Sequence, residues 1–356
     1  MVDFSTSIKT IFILLELIAS LGLTQEHMTI EGYEQNIYTI EVDASQGGEL
    51  VQEFAYNGLF GYDYVSTMAV QEEVTYPLGV NGMFYDGYGR PQGIVIKDHE
   101  LLSLRSVHTP VFLVFDNGEV EIRDIQVRAY LVHSEIRQPL YEINDDYENR
   151  GVGVYTRWFG KYLYPQENIG IYRVENNVVT EIITHNERVP LEGMAFQEKN
   201  YVISRKIFSD EPIYQVGDSI QVELESDIQI ESVKEAFQTG GWLVYEGENV
   251  AQDYEPFVGY TTSLQPRTAI GITDQEEIVV KVIDGRQAGI SQGVTGKQLA
   301  TLMQEEGCVF ATYLDGGSSS VVVKDGKVIN HPSGGEEKAV AHALFFNRTM
   351  PKELQK

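Results

Sequence analysis

The hydrophobic pattern along this chain is mainly that of β-strands. Apolar and polar residues alternate over positions 28–32 and 38–42, which is typical of strands with one buried face. Strand-like apolar runs follow at 93–96, 111–115, 278–283 and 343–346. Glycine-containing turn pairs such as Asn57-Gly58 and Asp325-Gly326 separate the runs.

Convincing helical patterns are few. Leu299, Leu302 and Met303 form an apolar stripe in a helix expected over 295–306, with Thr295 as its N-cap. A shorter helix is expected over 230–237. Near the N-terminus, residues 11–23 are apolar, but the segment is too short to span a membrane and contains Glu16. We therefore expect an N-terminal helix over 1–28 that packs on the body or forms a homo-oligomer through residues 8–23. A signal peptide is the alternative.

Together these patterns predict an α+β fold, with a large mixed or antiparallel β-sheet system, a few packed helices and the N-terminal helix. The main domain is expected to cover 29–356. Within it, the polar and strand-rich stretch 141–227 is a candidate inserted subdomain.

The charge of the chain restricts its partners. It has 53 acidic and 26 basic residues and a net charge of −27, which disfavours binding to nucleic acid or to an anionic membrane. This charge suits an extracellular, cell-surface or virion-associated protein, although the cytoplasm stays an alternative. The single cysteine, Cys308, excludes an intramolecular disulfide and is expected to be a buried thiol.

Metal and cofactor chemistry is less defined. The seven histidines lack the spacing of a zinc hydrolase. No cofactor is required by the pattern, but Mg²⁺ or Ca²⁺ held by carboxylates stays an alternative in so acidic a chain.

The segment from Tyr313 to Ser320 carries the strongest candidate chemistry. Asp315 ends an apolar run and is followed by two glycines and three serines. Glycines let a backbone approach a ligand closely, and the hydroxyl and N–H groups of such a turn suit an anion. Similar polar turns occur at 81–86, 239–242, 267–270, 284–286 and 330–336. Each turn alone is a weak signal.

In their order, these turns resemble the phosphodiester glycosidase family. The matching elements are N-G-M-F at 81–84, Y-T-R-W at 155–158, G-G-W-L-V at 240–244, R-T-A-I-G at 267–271, D-G-R at 284–286, S-Q-G-V-T at 291–295, L-D-G-G-S-S at 314–319 and the N-H-P-S turn from 330. The resemblance covers roughly residues 57–346. Two positions depart from the family pattern, since Ser318 replaces a third glycine and Lys338 stands near an expected arginine.

The resemblance implies a hydrolase that cleaves a sugar-1-phosphodiester and releases free sugar. The substrate would be a GlcNAc-1-phosphodiester, or a cell-wall glycosyl phosphodiester of the teichoic-acid type. Its leaving group is weakly basic, so the site chiefly needs cations and donors for the phosphate and a carboxylate facing the sugar carbon.

Site roles are assigned on that basis. Asp315 is the first choice for nucleophile or base, with Glu336 and then Asp284 as further catalytic candidates. Phosphate binding is assigned to two arginines and to the loop that follows Asp315, namely Arg267, Arg286, Gly316, Gly317, Ser318 and Ser319. Asn81, Thr268 and Ser333 are assigned to the binding of sugar hydroxyls.

Two alternatives stay open at this stage. The same fold could serve as a carbohydrate-binding adhesin or phage receptor-binding protein without catalysis, again with a sugar-phosphate polymer or oligosaccharide as partner. Individual residues could also be structural, since Asp315 could cap its turn and Arg286 could pair with Asp284. The enzyme hypothesis requires Arg267, Arg286 and Asp315 to share one hollow.

Overall fold

The computed structural model describes residues 21–71, 74–104, 108–145, 151–164, 168–183, 188–206 and 213–348. These ranges contain 28 β-strands and two α-helices, α1 (Val65–Met68) and α2 (Gly296–Glu305). The protein is therefore mostly β, and the predicted α+β class is wrong. Many polar stretches without a clear period form strands, because cross-strand pairing rather than local pattern satisfies their backbones.

The predicted N-terminal helix is also wrong wherever it overlaps the described residues. Strand β1 (Leu21–Ile30) pairs with β2 (Tyr33–Val42) in an antiparallel hairpin, from Leu21 opposite Val42 to Ile30 opposite Tyr33. Ten residue pairs in register satisfy the backbone of this segment better than an isolated helical turn. Residues 1–20, and with them most of the 8–23 segment expected to mediate oligomerisation, lie outside the described residues.

The largest sheet has seven antiparallel strands and supplies much of the site. Its order is β1-β2-β24-β23-β25-β19-β20. The five further strands are β19 (Trp242–Tyr245), β20 (Glu248–Asn249), β23 (Arg267–Thr273), β24 (Ile278–Ile283) and β25 (Cys308–Tyr313). All residues of β23 and β24 are buried, including the charged Arg267 and Lys281.

Two five-stranded sheets pack with it around a common core. The first has the order β6-β5-β18-β7-β8, from β5 (Ile94–Lys97), β6 (Glu100–Leu104), β7 (Val111–Phe115), β8 (Val120–Arg123) and β18 (Val233–Gln238). The second has the order β27-β26-β4-β28-β3, from β3 (Gly48–Phe54), β4 (Leu78–Asn81), β26 (Val322–Lys324), β27 (Lys327–Val328) and β28 (His342–Arg348).

The strands between residues 127 and 226 pair with one another in the described part of the chain. Three of them form the order β10-β9-β17, with β9 (Val127–His133), β10 (Ile136–Leu140) and β17 (Ile220–Ser226). Four form the order β11-β16-β13-β14, with β11 (Val152–Tyr155), β13 (Ile169–Glu175), β14 (Val178–Ile183) and β16 (Tyr201–Lys206). Two short antiparallel pairs complete the sheets, β12 (Tyr162–Leu163) with β15 (Val189–Pro190) and the hairpin of β21 (Tyr254–Glu255) with β22 (Gly259–Tyr260). The 141–227 boundary of an inserted subdomain stays a prediction.

One helix follows its sequence signal closely. The Thr295 hydroxyl accepts a hydrogen bond from the Gln298 amide at 3.2 Å, and the Gln298 side chain accepts one from the Thr295 amide at 2.9 Å. This reciprocal capping box begins α2, and Leu299 and Met303 on its apolar face are fully buried.

The helix expected over 230–237 is wrong. Residues 233–238 form β18, which lies between β5 and β7 at the centre of its sheet. Both neighbours hydrogen-bond to it, so the sheet supplies partners that the isolated sequence does not show.

The thiol of Cys308 is free and buried, as predicted, and burial raises its pKa to about 12. No helix among the described residues has the length and apolar content needed to cross a membrane.

Candidate active site

Three separate strands hold the loop that follows Asp315. Beyond the end of β25, the Leu314 amide donates to the Thr268 carbonyl of β23 at 2.9 Å. The Asp315 amide donates to the Gly82 carbonyl beyond β4 at 3.0 Å, and the Gly317 amide donates to Pro266 at 2.9 Å. Residues distant in the sequence therefore fix the backbone on both sides of this carboxylate.

Asn81 and Thr268 support the same loop from below. The Asn81 amide nitrogen donates to the Asp315 carbonyl at 2.5 Å, and the Asn81 carbonyl oxygen accepts from the Val321 amide and the Thr268 hydroxyl, each at 3.1 Å. Both side chains are buried. They lie beneath the loop and not among the residues that line the adjacent cleft, so their contacts are those of positioning residues.

Above the loop lies an open cleft of about 420 Å³, a size in the usual range of small-molecule sites. Its lining includes Arg267, Arg286 and Asp315. The structure therefore brings to one cleft the three side chains that the enzyme hypothesis requires, while their chemical roles stay predictions.

Neither arginine forms an ion pair with a carboxylate among the described residues. Arg267 is only 4 % exposed, and its guanidinium donates to the carbonyls of Val294 and Ser263, each at 3.3 Å. Burial, together with the neighbouring Arg286, lowers the pKa of Arg267, while Tyr313 opposes the shift. Even so, an arginine stays protonated, so the cleft contains a buried positive charge.

Arg286 is exposed and lies across the loop. Its Nε donates to the Gln265 side-chain oxygen at 2.5 Å. Its Nη2 lies 3.2 Å from the point that a β-carbon on Gly317 would occupy. The structural alternative, in which Arg286 pairs with Asp284, is not the arrangement observed.

Asp315 is the sole carboxylate among the described residues that line the cleft. Burial raises its pKa, while Ser319, the charge of Lys338 and the Gly316 amide lower it. Its Oδ1 accepts from the Gly316 amide at 2.9 Å. A carboxylate poised between desolvation and a nearby cation is typical of a functional site.

Most of the loop amides that we expected to bind an anion are already engaged. Gly316 donates to Asp315, Gly317 donates to Pro266, and Ser319 donates to the Gly316 carbonyl at 3.1 Å. The side chains that can meet an anion there are the two guanidinium groups, the Ser318 hydroxyl and Lys338.

Lys338 is the cation found where an arginine was expected. Its Nζ lies 3.3 Å from the Ser319 hydroxyl and 5.5 Å from the centre of the Tyr85 ring. A lysine offers a point charge there instead of the two-pronged donor of arginine.

One wall of the cleft was missed by sequence analysis. Phe84 stacks on Phe257 with ring centres 4.9 Å apart and planes at 12°, and Tyr260 beside them is 76 % exposed. The wall depends on the buried Glu255, whose carboxylate accepts from the amides of Gly241, Phe257 and Val258 at 2.6–2.9 Å. Burial raises the pKa of Glu255 despite these bonds. The sequence signals were the N-G-M-F element, which contains Phe84, and the aromatic content of the β21–β22 hairpin.

Besides Asn81 and Thr268, three further predicted site residues do not line the cleft. Asp284 is fully buried and accepts from Asn36 at 2.5 Å, from Asn330 at 2.8 Å and from the His331 amide at 3.1 Å. Glu336 is exposed and Ser333 half-buried on the following loop. Catalytic roles for Asp284 and Glu336, and sugar binding by Ser333, stay predictions without a place in the cleft.

Among the described residues, no group of three or more His, Cys, Asp or Glu side chains is arranged to hold a metal ion. The Mg²⁺ or Ca²⁺ alternative stays untested.

Comparison with known proteins gives one sequence relative and several related folds. Over 126 residues the chain is 34 % identical to the SPbeta prophage-derived uncharacterized protein YomE of Bacillus subtilis, an alignment that covers 35 % of this chain but only 19 % of YomE. A hypothetical protein from Synechocystis matches with a TM-score of 0.74 and 20 % identity, over 92 % of this chain and 62 % of that one. A protein assigned as exported in Burkholderia pseudomallei matches with a TM-score of 0.71 and 20 % identity, over 88 % of this chain and 74 % of that one.

A third solved structure carries a named activity. It is the catalytic domain of zebrafish N-acetylglucosamine-1-phosphodiester α-N-acetylglucosaminidase, auto-inhibited by its pro-peptide, with a TM-score of 0.51 and 13 % identity over 92 % of this chain and 83 % of that one. At such identities these structures show a shared fold alone. The model of the phosphodiester glycosidase family matches residues 168–347, just over half of the chain and including Arg267, Arg286 and Asp315. This protein belongs to the phosphodiester glycosidase family.

Proposed function

We propose that this protein hydrolyses a glycosyl phosphodiester and releases the free sugar. The observation that carries the proposal is the pairing of two guanidinium groups, neither ion-paired with a described carboxylate, with one carboxylate in the same cleft. In a chain of net charge −27, a buried cation without an acidic partner, such as Arg267, is costly unless an anion binds beside it.

In the proposed complex, Arg267 and Arg286 bind the phosphate oxygens, and Lys338, whose Nζ lies 3.3 Å from the Ser319 hydroxyl, supplies a third positive charge. Fixed cations of this kind stabilise the charge that develops on the leaving phosphate. The stacked pair Phe84 and Phe257 gives the sugar an apolar face to lie against. Asp315 then faces the sugar carbon C1 as nucleophile or as base for water.

The reaction breaks the C1–O bond, and the electron pair leaves on the phosphate oxygen. Water supplies the new hydroxyl at C1, and the products are a free sugar and a phosphate monoester. Because the phosphate is a weakly basic leaving group, a second carboxyl group is not required to protonate it. A cleft with one carboxylate fits this chemistry better than hydrolysis of an ordinary glycoside, which uses two.

The direct test is turnover of a GlcNAc-1-phosphodiester and of purified teichoic acid, followed as release of reducing sugar. In isotopically labelled water the label is expected in the sugar, because C1 accepts the oxygen. Asp315→Asn should abolish turnover and leave the fold intact, and Arg286→Lys should raise KM by about tenfold. Label found only in the phosphate, or full activity of Asp315→Asn, would contradict the mechanism.

A binding protein without catalysis is the second candidate, favoured by the prophage-derived relative. Tight binding of the sugar-phosphate polymer that needs Arg286, with no turnover by the wild type, would support it. Either function suits an extracellular, cell-surface or virion-associated protein, as the names of the exported and prophage-derived relatives suggest.

A further inference from the structure

A second groove is lined by side chains of the same chemical kinds as those of the cleft. This distal groove is an open depression of about 760 Å³. Its lining includes two tyrosines, two cations, a proline and a carboxylate, namely Tyr56, Tyr162, Arg157, Lys161, Pro190 and Glu192. Aromatic rings and cations are the side chains that suit a sugar ring and a phosphate.

Tyr56 combines an exposed aromatic side chain with an unfavourable backbone conformation. Its side chain is 77 % exposed, and its backbone is left-handed, with φ of 56°. A non-glycine residue in that conformation costs roughly 1 kcal/mol or more, and the exposed ring recovers little of this by burial. Such strain, where it is found, points to a functional constraint.

The charge of the distal groove differs from that of the whole chain. Lys161 is exposed, and the guanidinium of Arg188 lies 4.4 Å from the centre of the Tyr162 ring. Arg157 pairs with the buried Glu100 at 2.6 Å, yet its side chain is still 45 % exposed. Three cations therefore surround a groove lined by one carboxylate, Glu192, in a strongly acidic protein.

A continuous series of contacts joins the two depressions. Lys338 of the cleft lies over the Tyr85 ring, and Tyr85 packs edge-on against Tyr62 with centres 5.5 Å apart. Gly61 directly precedes Tyr62 in the chain, and a β-carbon on Gly61 would lie 3.3 Å from the Tyr56 ring. The series of contacts from the cleft therefore ends at Tyr56, whose ring lines the distal groove.

We propose that the distal groove binds a further sugar-phosphate unit of a polymeric substrate whose reacting unit occupies the cleft. This rests on the proposed function, and it identifies the substrate as a chain of repeating glycosyl phosphodiesters, not a single small diester. The tyrosines stack on the sugar, and Lys161 with Arg188 binds the next phosphate.

The test compares two substrates, a single-sugar phosphodiester and a synthetic oligomer of six glycosyl phosphodiester repeats. The variant is Tyr56→Gly with Lys161→Glu, since glycine accepts the left-handed backbone without strain. The matched control is Lys327→Glu, an exposed lysine of β27 outside both depressions. We expect kcat/KM on the oligomer to fall at least tenfold in the double variant and to change less than twofold on the small diester.

Equal losses on both substrates, or no loss on either, would overturn the distal groove proposal while leaving the proposed function in place. Turnover of neither substrate by the wild type would defeat the proposed function instead. In that case calorimetry measures whether the distal groove binds the oligomer. The groove proposal predicts an affinity that falls at least tenfold in the double variant and does not change in Lys327→Glu. Binding that is absent, or unchanged by the double variant, would defeat both.

Discussion

The guanidinium of Arg286 lies so close to Gly317 that a β-carbon on the glycine would be 3.2 Å from Nη2. Gly317 also has a left-handed backbone, with φ of 63°. The absence of a side chain at the second glycine therefore lets the loop after Asp315 and this arginine approach each other closely.

Gly317→Ala should consequently lower both stability and activity. The left-handed backbone costs about 1 kcal/mol with alanine, and the methyl group forces the Arg286 guanidinium to shift within the cleft. We expect KM to rise about tenfold for a phosphodiester substrate. Gly118→Ala is the control, because Gly118 is left-handed but no atom lies within 4 Å of the point that its β-carbon would occupy. Equal kinetic effects in both variants would show that strain alone is responsible.

Asn81→Ala should loosen the Asp315 loop. The substitution removes a donor to the Asp315 carbonyl and leaves the buried Val321 amide without its acceptor, at a cost of about 2 kcal/mol. We expect kcat to fall more than tenfold, with a smaller change in KM. Asn144→Gly removes a comparably bonded buried asparagine near Thr156 and should lose stability without losing kcat. Denaturant unfolding and steady-state kinetics measure both.

Asp284→Asn should destabilise the fold more than it impairs the chemistry. The buried carboxylate accepts hydrogen bonds from Asn36, Asn330 and the His331 amide. In the variant, the NH2 group of the new asparagine would face at least one of these N–H donors and could not accept its hydrogen bond. We expect a loss of about 2–3 kcal/mol in unfolding free energy and kcat within threefold of the wild type. A fall in kcat of a hundredfold or more at wild-type stability would instead restore the catalytic role considered for Asp284.

The loss of activity at low pH, the acid limb of the pH–activity profile, should follow the protonation of Asp315. Burial raises its pKa, and Lys338 opposes that shift. Because the mechanism uses the carboxylate form, activity falls as the pH drops through this raised pKa. Lys338→Met should move the limb to higher pH, whereas Lys338→Arg should leave it in place. A limb that does not move in Lys338→Met would contradict the assignment.

Glu235 should make the protein less stable as the pH rises. It is 1 % exposed, and burial raises its pKa from 4.5 to about 8, against the opposing charge of Lys97. A raised pKa in the folded state gives stability that is complete below pH 4.5 and is lost as the pH rises toward 8. Glu235→Gln retains an acceptor for the Gln52 amide and should flatten this dependence. Urea unfolding at pH 5 and pH 8 measures the change, and parallel losses in both proteins would contradict it.

Local sequence was sufficient for elements whose signal is contained in a few neighbouring residues. The capping pair Thr295 and Gln298, the apolar face of α2, and the runs that became β7 and β24 are of this kind. The composition of the turn after Asp315 also predicted a candidate site, because glycines and serines beside a carboxylate suit an anion, and this turn lines the cleft.

Tertiary structure alone decided which of the candidate residues meet. Asp315 and Asp284 both follow apolar strands, yet the pairing of β23 with β24 and β25 opens the first to a cleft and encloses the second among amides. The aromatic content of the β21–β22 hairpin did not by itself indicate a wall of the cleft, since the role of Glu255 and Phe257 arises from contacts with residues next to β19 and β4 that are distant in the chain. The strand at 233–238 likewise replaced a helix because two neighbouring strands satisfy its backbone. Pairing between segments far apart in sequence has no local period, and for that reason the order of the sheets and the composition of the cleft became known only from the fold.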